Sequence, residues 1–501
     1  MDRIMNSTAF AVAAAVLSFA APAWSQGDTS LTIALPAEPA DIDGCNTTVT
    51  GIGVIVKENI VETLTTLDPD DSTVQPRLAT AWEDLGDGTW RVSLRENVTF
   101  HDGAPFNAEA VAFAIDRLTS DAIACRDRTK IANVELTTTV VDEHTIDIHA
   151  EPAQILMPTL LSFIGAVSPN TPADEISRAP VGTGPFRFES WDSEGIAVTR
   201  NADYWGEEPA ATDALYVFRP ESALRAAMVE LGEADIAHDI APQDATTEMD
   251  HAFLNGETTR LRMVMEPPLD DLRVRKAFNL AFDRNALIGS ILSDRAELAT
   301  QFILPKIDGH NPDLEPWPYD PEQAKALLEE ARADGVPVDK ELRLVGRIGF
   351  FPNQEEMLQV MQQMWSQVGL NVRLEMMESA EWLKLVNKPY PEDREAMLIQ
   401  EQHDNNNGDA SFTMRFRFHS DGRQSEFSIP EVDKLIEDAE AATGEERTRL
   451  FQEANRVISE EIVPSVYMYH MISYMRVSPE ISYEPNSLSL IQLELADVTF
   501  D

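Results

Sequence analysis

Segments with strand periodicity and segments with helix periodicity alternate along this chain from Leu31 to Tyr474, and that alternation restricts the fold more than any other feature. Leu31–Leu35 reads as a first strand, stopped by Pro36 and Pro39. Thr89–Phe100 reads as a pair of strand segments, Val140–His149 as one strand, and Phe186–Phe188 with Ile196–Val198 as a hairpin around Asp192–Gly195. Asn107 predicts an N-cap for a helix carrying Val111, Ala114, Ile115 and Leu118. Asp320, Pro321 and Gln323 predict another helix start, with Gly335 suited to its end. Met357, Met361, Met364, Trp365 and Val368 form a helical stripe, and Asn371–Met376 and Val466–Tyr474 read as strands. Two further helices carry Val432, Ile436 and Ala439, and Leu450, Phe451 and Ala454. The class is therefore α/β or α+β. At about 150 residues per domain, 501 residues predict two to four lobes, and no internal repeat or low-complexity linker marks their boundaries.

The chain has 39 Lys+Arg against 86 Asp+Glu, a formal net charge of −47, which excludes a nucleic-acid binder working by counterion release. Its 43% hydrophobic content is enough for real cores. Ala9–Ala21 is an apolar run of 13 residues broken only by Ser18, the length of a signal-peptide core and too short to span a bilayer. Small residues Ala23 and Ser25 offer cleavage before Gln26, so residues 1–25 are expected to be removed and the mature chain to reside in a periplasm. No cysteine directly follows the apolar run, which argues against a lipid anchor. Cys45 and Cys125 would then meet an oxidising compartment, where the expectation is that they pair; staying apart is the alternative.

Catalytic motifs are missing: there is no G-x-S-x-G, no H-E-x-x-H and no C-x-x-C. Gly182-Thr183-Gly184 precedes Pro185 and reads as a tight turn, not a dinucleotide loop. The chain is read as a non-enzyme without cofactor or metal, with an exported hydrolase as the alternative from another class. His403 and His419 fit surface or structural roles better than a metal site. Methionine clusters, including Met263 with Met265, fit core packing, with a flexible apolar ligand wall as the second possibility. Gln400–Asp409 is polar throughout and reads as a loop between apolar segments, able to present a carboxylate to a cationic group.

Ordered blocks then carry a resemblance. Gln75–Leu118, Val181–Phe186 (VGTGPF), Arg200–Gly206 (RNADYWG), Gly232–Ile236 (GEADI), Asp271–Arg284, Tyr319–Lys325 (YDPEQAK) and Pro430–Asp433 (PEVD) follow one another at family spacing. Over nearly the whole mature chain, the sequence resembles the family-5 extracellular solute-binding proteins of ABC importers, which include dipeptide, oligopeptide and nickel-chelate binders.

The resemblance implies a periplasmic-binding-protein-like fold of the class C (cluster C) type. Residues 26–59, 169–264 and 473–501 would form a discontinuous first lobe, 60–168 a small extra α+β domain, and 265–472 the second lobe. The lobes would close about a hinge over a peptide or peptide-like solute, with a nickel or metal chelate as the alternative. A monomer would then be presented to the membrane permease and its ATPase complex. By resemblance Asp404 matches the acid that holds a ligand ammonium, with Asp409 as fallback and Glu401 and His403 beside it in the same loop. Trp382 matches a tryptophan of the side-chain pocket. Glu38 lies in Pro36–Ile42, which matches a segment touching ligand backbone. Met265 lies in Leu261–Met265, which replaces the family's usual Tyr/Asn-containing strand into the second lobe.

Overall fold

Two long antiparallel strands, Asp250–Met263 and Ser465–Val477, run through the middle of one large mixed sheet and tie its two halves together. The structure is a computed structural model that describes residues 29–131, 134–404, 408–489 and 491–500. The expected signal peptide lies outside the described residues, as do Asn405–Asn407 and the side chain of Asp404. No helix among the described residues is long and apolar enough to cross a membrane.

On one side of the long pair, Ser30–Leu35 lies parallel between Asp213–Phe218 and Ile236–Ile240. The expected hairpin, Phe186–Trp191 with Ile196–Arg200, closes that edge. On the other side, Met397–Asp404 pairs antiparallel with Asp250–Met263, and Leu342–Arg347 and Val372–Met377 follow in parallel. Each half has its own apolar core. One gathers Leu31, Ile33, Phe186 and Tyr216; the other gathers Leu261, Phe278, Met357, Met361 and Trp365. The ladder between the long strands slips between Leu254 and Thr258. Gly256 sits in that slip with φ of 81°, a left-handed conformation that a side chain would resist.

A separate four-stranded antiparallel sheet, ordered Ala79–Gly86, Thr89–Leu94, Thr145–Glu151, Glu135–Asp142, packs with the helix Ala108–Thr119 around Val92, Phe106, Ile115 and Ile148. Asn107 caps that helix, its side chain accepting from the Ala110 amide at 3.0 Å. Asp320 likewise accepts from the Gln323 amide at 2.9 Å at the start of Pro321–Ala333. Cys45 and Cys125, both buried, are joined by a disulfide across a sequence separation of 80.

Two expectations change. Val140–His149 is not one strand but the turn of a hairpin, because Asp142 accepts from the His144 amide at 2.9 Å and reverses the chain. Gln400–Asp404 is not loop but the end of the strand Met397–Asp404. The buried Glu401 and His403 are tolerated there because distant residues supply their partners, Arg260, Arg262 and Arg417 for Glu401 and Thr413 for His403.

Candidate functional site

Glu401 is 0% exposed. Its Oε2 accepts from Arg260 Nε at 3.0 Å and Nη2 at 2.8 Å, and its Oε1 lies 3.2 Å from Nη1 of both Arg262 and Arg417. Burial alone would raise its pKa; Arg262, Arg417 and Arg260 together outweigh burial and hold the carboxyl down at about 2. Glu401 thus serves an internal arginine cluster and has no charge to spare for a ligand.

Asp409 is also engaged. Arg447 donates to it from Nε at 2.9 Å and Nη2 at 2.8 Å, and the Ser411 amide donates at 2.7 Å. His403 is buried between Thr413 Oγ1, 2.7 Å from Nε2, and Arg417 Nη2, 3.1 Å from Nδ1, with its ring stacked on Phe412. Glu38 is exposed on the other half, accepting from Trp191 Nε1 at 2.7 Å, with Arg178 over the same indole at 3.6 Å. Met265 is half-buried beyond the end of the long strand. The structure therefore places Glu38 away from the other candidates, and it commits Glu401, His403 and Asp409 to internal contacts. The backbone of Asp404 pairs with Glu257 at the end of its strand.

Trp382 is buried at the start of the helix Ser379–Val386, and its indole donates to the Gln400 carbonyl at 2.9 Å. Its ring meets Phe350 edge-on at 5.2 Å and 89°. Over this pair lies Arg347, at the C-terminal end of the strand Leu342–Arg347, its guanidinium 3.6 Å from the Phe350 ring and 5.5 Å from the Trp382 ring. The Arg347 Nε is buried with no hydrogen-bond partner, and no carboxylate pairs with the guanidinium among the described residues. Burial lowers its pKa, with Glu257 as the opposing charge. Buried polar atoms also lack partners on the neighbouring strand: Gln400 Nε2 and Gln402 Oε1, with Gln400 Oε1 taken by Gln354.

A half-buried arginine over two aromatic rings, with no carboxylate partner among the described residues, can receive an anion. Glu257, on the long central strand, is the charge that opposes burial at Arg347. The guanidinium suits a carboxylate of a solute. Sequence reasoning missed Arg347 and Phe350 because the strand Leu342–Arg347 went unread. The available signal was the alternating Leu342, Leu344 and the turn residue Gly349 that follows Arg347.

Residues 73–425 match the bacterial extracellular solute-binding proteins, family 5 middle region. The chain is 26% identical over 500 residues to a probable di/tripeptide-binding protein 5 of Pseudomonas aeruginosa, covering 91% of this chain and 93% of that one. It is 28% identical over 421 residues to the glutathione-binding protein GsiB of Salmonella typhi, covering 78% and 80%. Its fold matches NikA from Brucella suis, solved with Fe(III)-EDTA, at a TM-score of 0.81 and 23% identity, covering 94% of this chain and 100% of that one.

Proposed function

Because this chain belongs to the family-5 bacterial extracellular solute-binding proteins of ABC importers, we propose that it captures a peptide or peptide-like solute by lobe closure and delivers it to the membrane permease. The observation that carries this reading is the unpaired Arg347 guanidinium over Phe350 and Trp382, an arrangement fitted to a ligand carboxylate. Asp404, at the facing strand end, is the acid for the ligand's ammonium, and the buried Trp382 indole backs the pocket. Relatives named for di- and tripeptides and for glutathione support the same ligand class.

In this reading residues 26–59, 169–264 and 473–501 form one lobe, 60–168 the small domain and 265–472 the other lobe. The slip in the long strands at Leu254–Thr258 is where they flex. The protein acts as a periplasmic monomer, exported through residues 1–25, and binds without turnover. A metal chelate is the second reading, since a carboxylate-rich chelate meets the same guanidinium.

Calorimetric titration with a dipeptide and with its C-terminal amide tests the proposal. Amidation removes the group Arg347 receives and is expected to weaken binding about 10–100-fold. Equal affinity for acid and amide, or binding of carboxylate chelates in place of peptides, would overturn it.

A further inference from the structure

One buried side-chain amide is committed wholly to the surroundings of Arg347. Gln354 opens the helix Gln354–Gln367 and is 3% exposed. Its side chain reaches back to the chain that leads into the helix. Oε1 accepts from the Phe350 amide at 3.0 Å, and Nε2 donates to the Arg347 carbonyl at 2.7 Å and to Gln400 Oε1. Gln400 in turn accepts from the Trp382 indole on its backbone carbonyl at 2.9 Å. One amide therefore reaches all three members of the stack: Arg347 and Phe350 through their backbones, and Trp382 through Gln400.

The orientation of that amide is fixed by its partners. A backbone N–H can only donate, so Phe350 faces Oε1; a backbone carbonyl can only accept, so Arg347 faces Nε2. Between these two anchors the chain makes a short excursion. The Ile348 amide donates to the Met377 carbonyl at 2.8 Å, and Gly349 then turns with φ of 77°. Asn353 precedes the helix with φ of 61° and does not cap it; its Nδ2 donates to the Ile291 carbonyl at 3.0 Å. A glycine turn has wide conformational freedom, and Gln354 removes it by tying residues 347 and 350 to one rigid group. That matters because a guanidinium recognises a carboxylate through its fork geometry, and such groups must be held to within about 0.5 Å by neighbours that are themselves locked. The guanidinium lies 3.6 Å from the Phe350 ring, so the backbone position of Phe350 sets where the cation rests.

We propose that Gln354 is the positioning residue of the Arg347 seat, clamping the Arg347–Phe350 turn so that the guanidinium is presented to a ligand carboxylate. The inference rests on the reading of Arg347 given above and adds the residue that sets how strongly Arg347 acts.

Calorimetric titration of Ala-Ala and Ala-Ala amide against wild type, Gln354→Met, Arg347→Gln and the double variant tests it. Gln354→Met keeps the side-chain length and removes all three hydrogen bonds. It is expected to weaken Ala-Ala about tenfold and to leave the amide within about twofold, so that the preference for the acid shrinks. In the Arg347→Gln background the same substitution should cost Ala-Ala no more than about twofold, because Gln354 acts through Arg347. Equal weakening of acid and amide, full additivity in the double variant, or unchanged binding would overturn the proposal. If Gln354→Met does not fold, Gln354→Glu carries the same expectation: it keeps an acceptor for the Phe350 amide but lacks the amide hydrogens that the Arg347 carbonyl and Gln400 take. If the wild type itself does not prefer the acid, the carboxylate reading of Arg347 falls, and hydrogen exchange decides the clamp separately. Exchange of the Phe350 amide about tenfold faster in Gln354→Met, with the helix Gln354–Gln367 still protected, supports it; unchanged exchange overturns it.

Discussion

Two buried ion clusters have opposite stoichiometry. In one half of the molecule a single carboxylate, Glu401, is shared by Arg260, Arg262 and Arg417, and Glu426 takes up Arg262 and Arg394. Beside the small domain two carboxylates, Glu58 and Glu62, share one arginine, Arg77, at 3.1 and 2.9 Å. Both Glu401 and Glu58 are fully buried, and burial favours the neutral acid in each. Surplus cations hold Glu401 at about 2, whereas at Glu58 burial, with Glu494 and Glu62 adding to it against Arg77, lifts the carboxyl to about 7. Partner count, not burial, sets which of these acids is ionised at neutral pH.

The largest effect is expected at Glu401. Glu401→Gln leaves Arg260, Arg262 and Arg417 without their shared anion and should destabilise the fold by about 3–5 kcal/mol in denaturant unfolding. A loss under about 1 kcal/mol would mean that hydration or Glu426 compensates the arginines, and the contrast would fail.

Next comes reduction of the Cys45–Cys125 disulfide, which ties the chain near the second cluster to the small domain. It should cost about 2–4 kcal/mol, read as a fall in denaturation midpoint with and without reductant. An unchanged midpoint would show that packing alone holds that region.

A smaller effect is expected from pH at Glu58. Its folded-state pKa, about 7, lies above the ordinary value of 4.5, so the folded protein keeps a proton that the unfolded chain releases. The contribution of this group to stability is therefore fully present below pH 4.5 and is lost as pH rises towards 7. Glu58→Gln should flatten that part of the stability profile, measured by unfolding at pH 5 and pH 8, and Glu401→Gln should not. Identical slopes in wild type and Glu58→Gln would refute the assignment.

Stability should change least at Arg347, an arginine outside both clusters. Arg347→Gln breaks no ion pair and is expected to stay within about 0.5 kcal/mol of wild type in unfolding, while peptide affinity falls about 10–100-fold. A large stability loss would place Arg347 among the structural arginines.

The parts of the fold that were legible share one property: their causes lie within a few residues of their effects. Asn107 and Asp320 cap helices three residues away, and Asp192–Gly195 turns the chain between Phe188 and Ile196. The site was less legible. Gln400–Asp404 has the composition of a loop, yet it is a strand, because Arg260 meets Glu401 from 141 residues away. Asp409 has the composition of a ligand anchor, yet Arg447 takes it from 38 residues away. Arg347 was passed over because an arginine at the end of a short strand looks like any other.

The sequence by itself determined the alternating α/β architecture, the helix caps, the family and the presence of two cysteines able to pair, since these rest on short-range patterns or on ordered blocks of residues. Only the tertiary structure decided which charges are spent and which remain for a ligand. Glu401 and Asp409 are neutralised inside the protein, whereas the half-buried Arg347 has no carboxylate partner among the described residues. The physical reason is that a buried charge is defined by the few groups within hydrogen-bond reach, and folding draws those groups from anywhere along the chain.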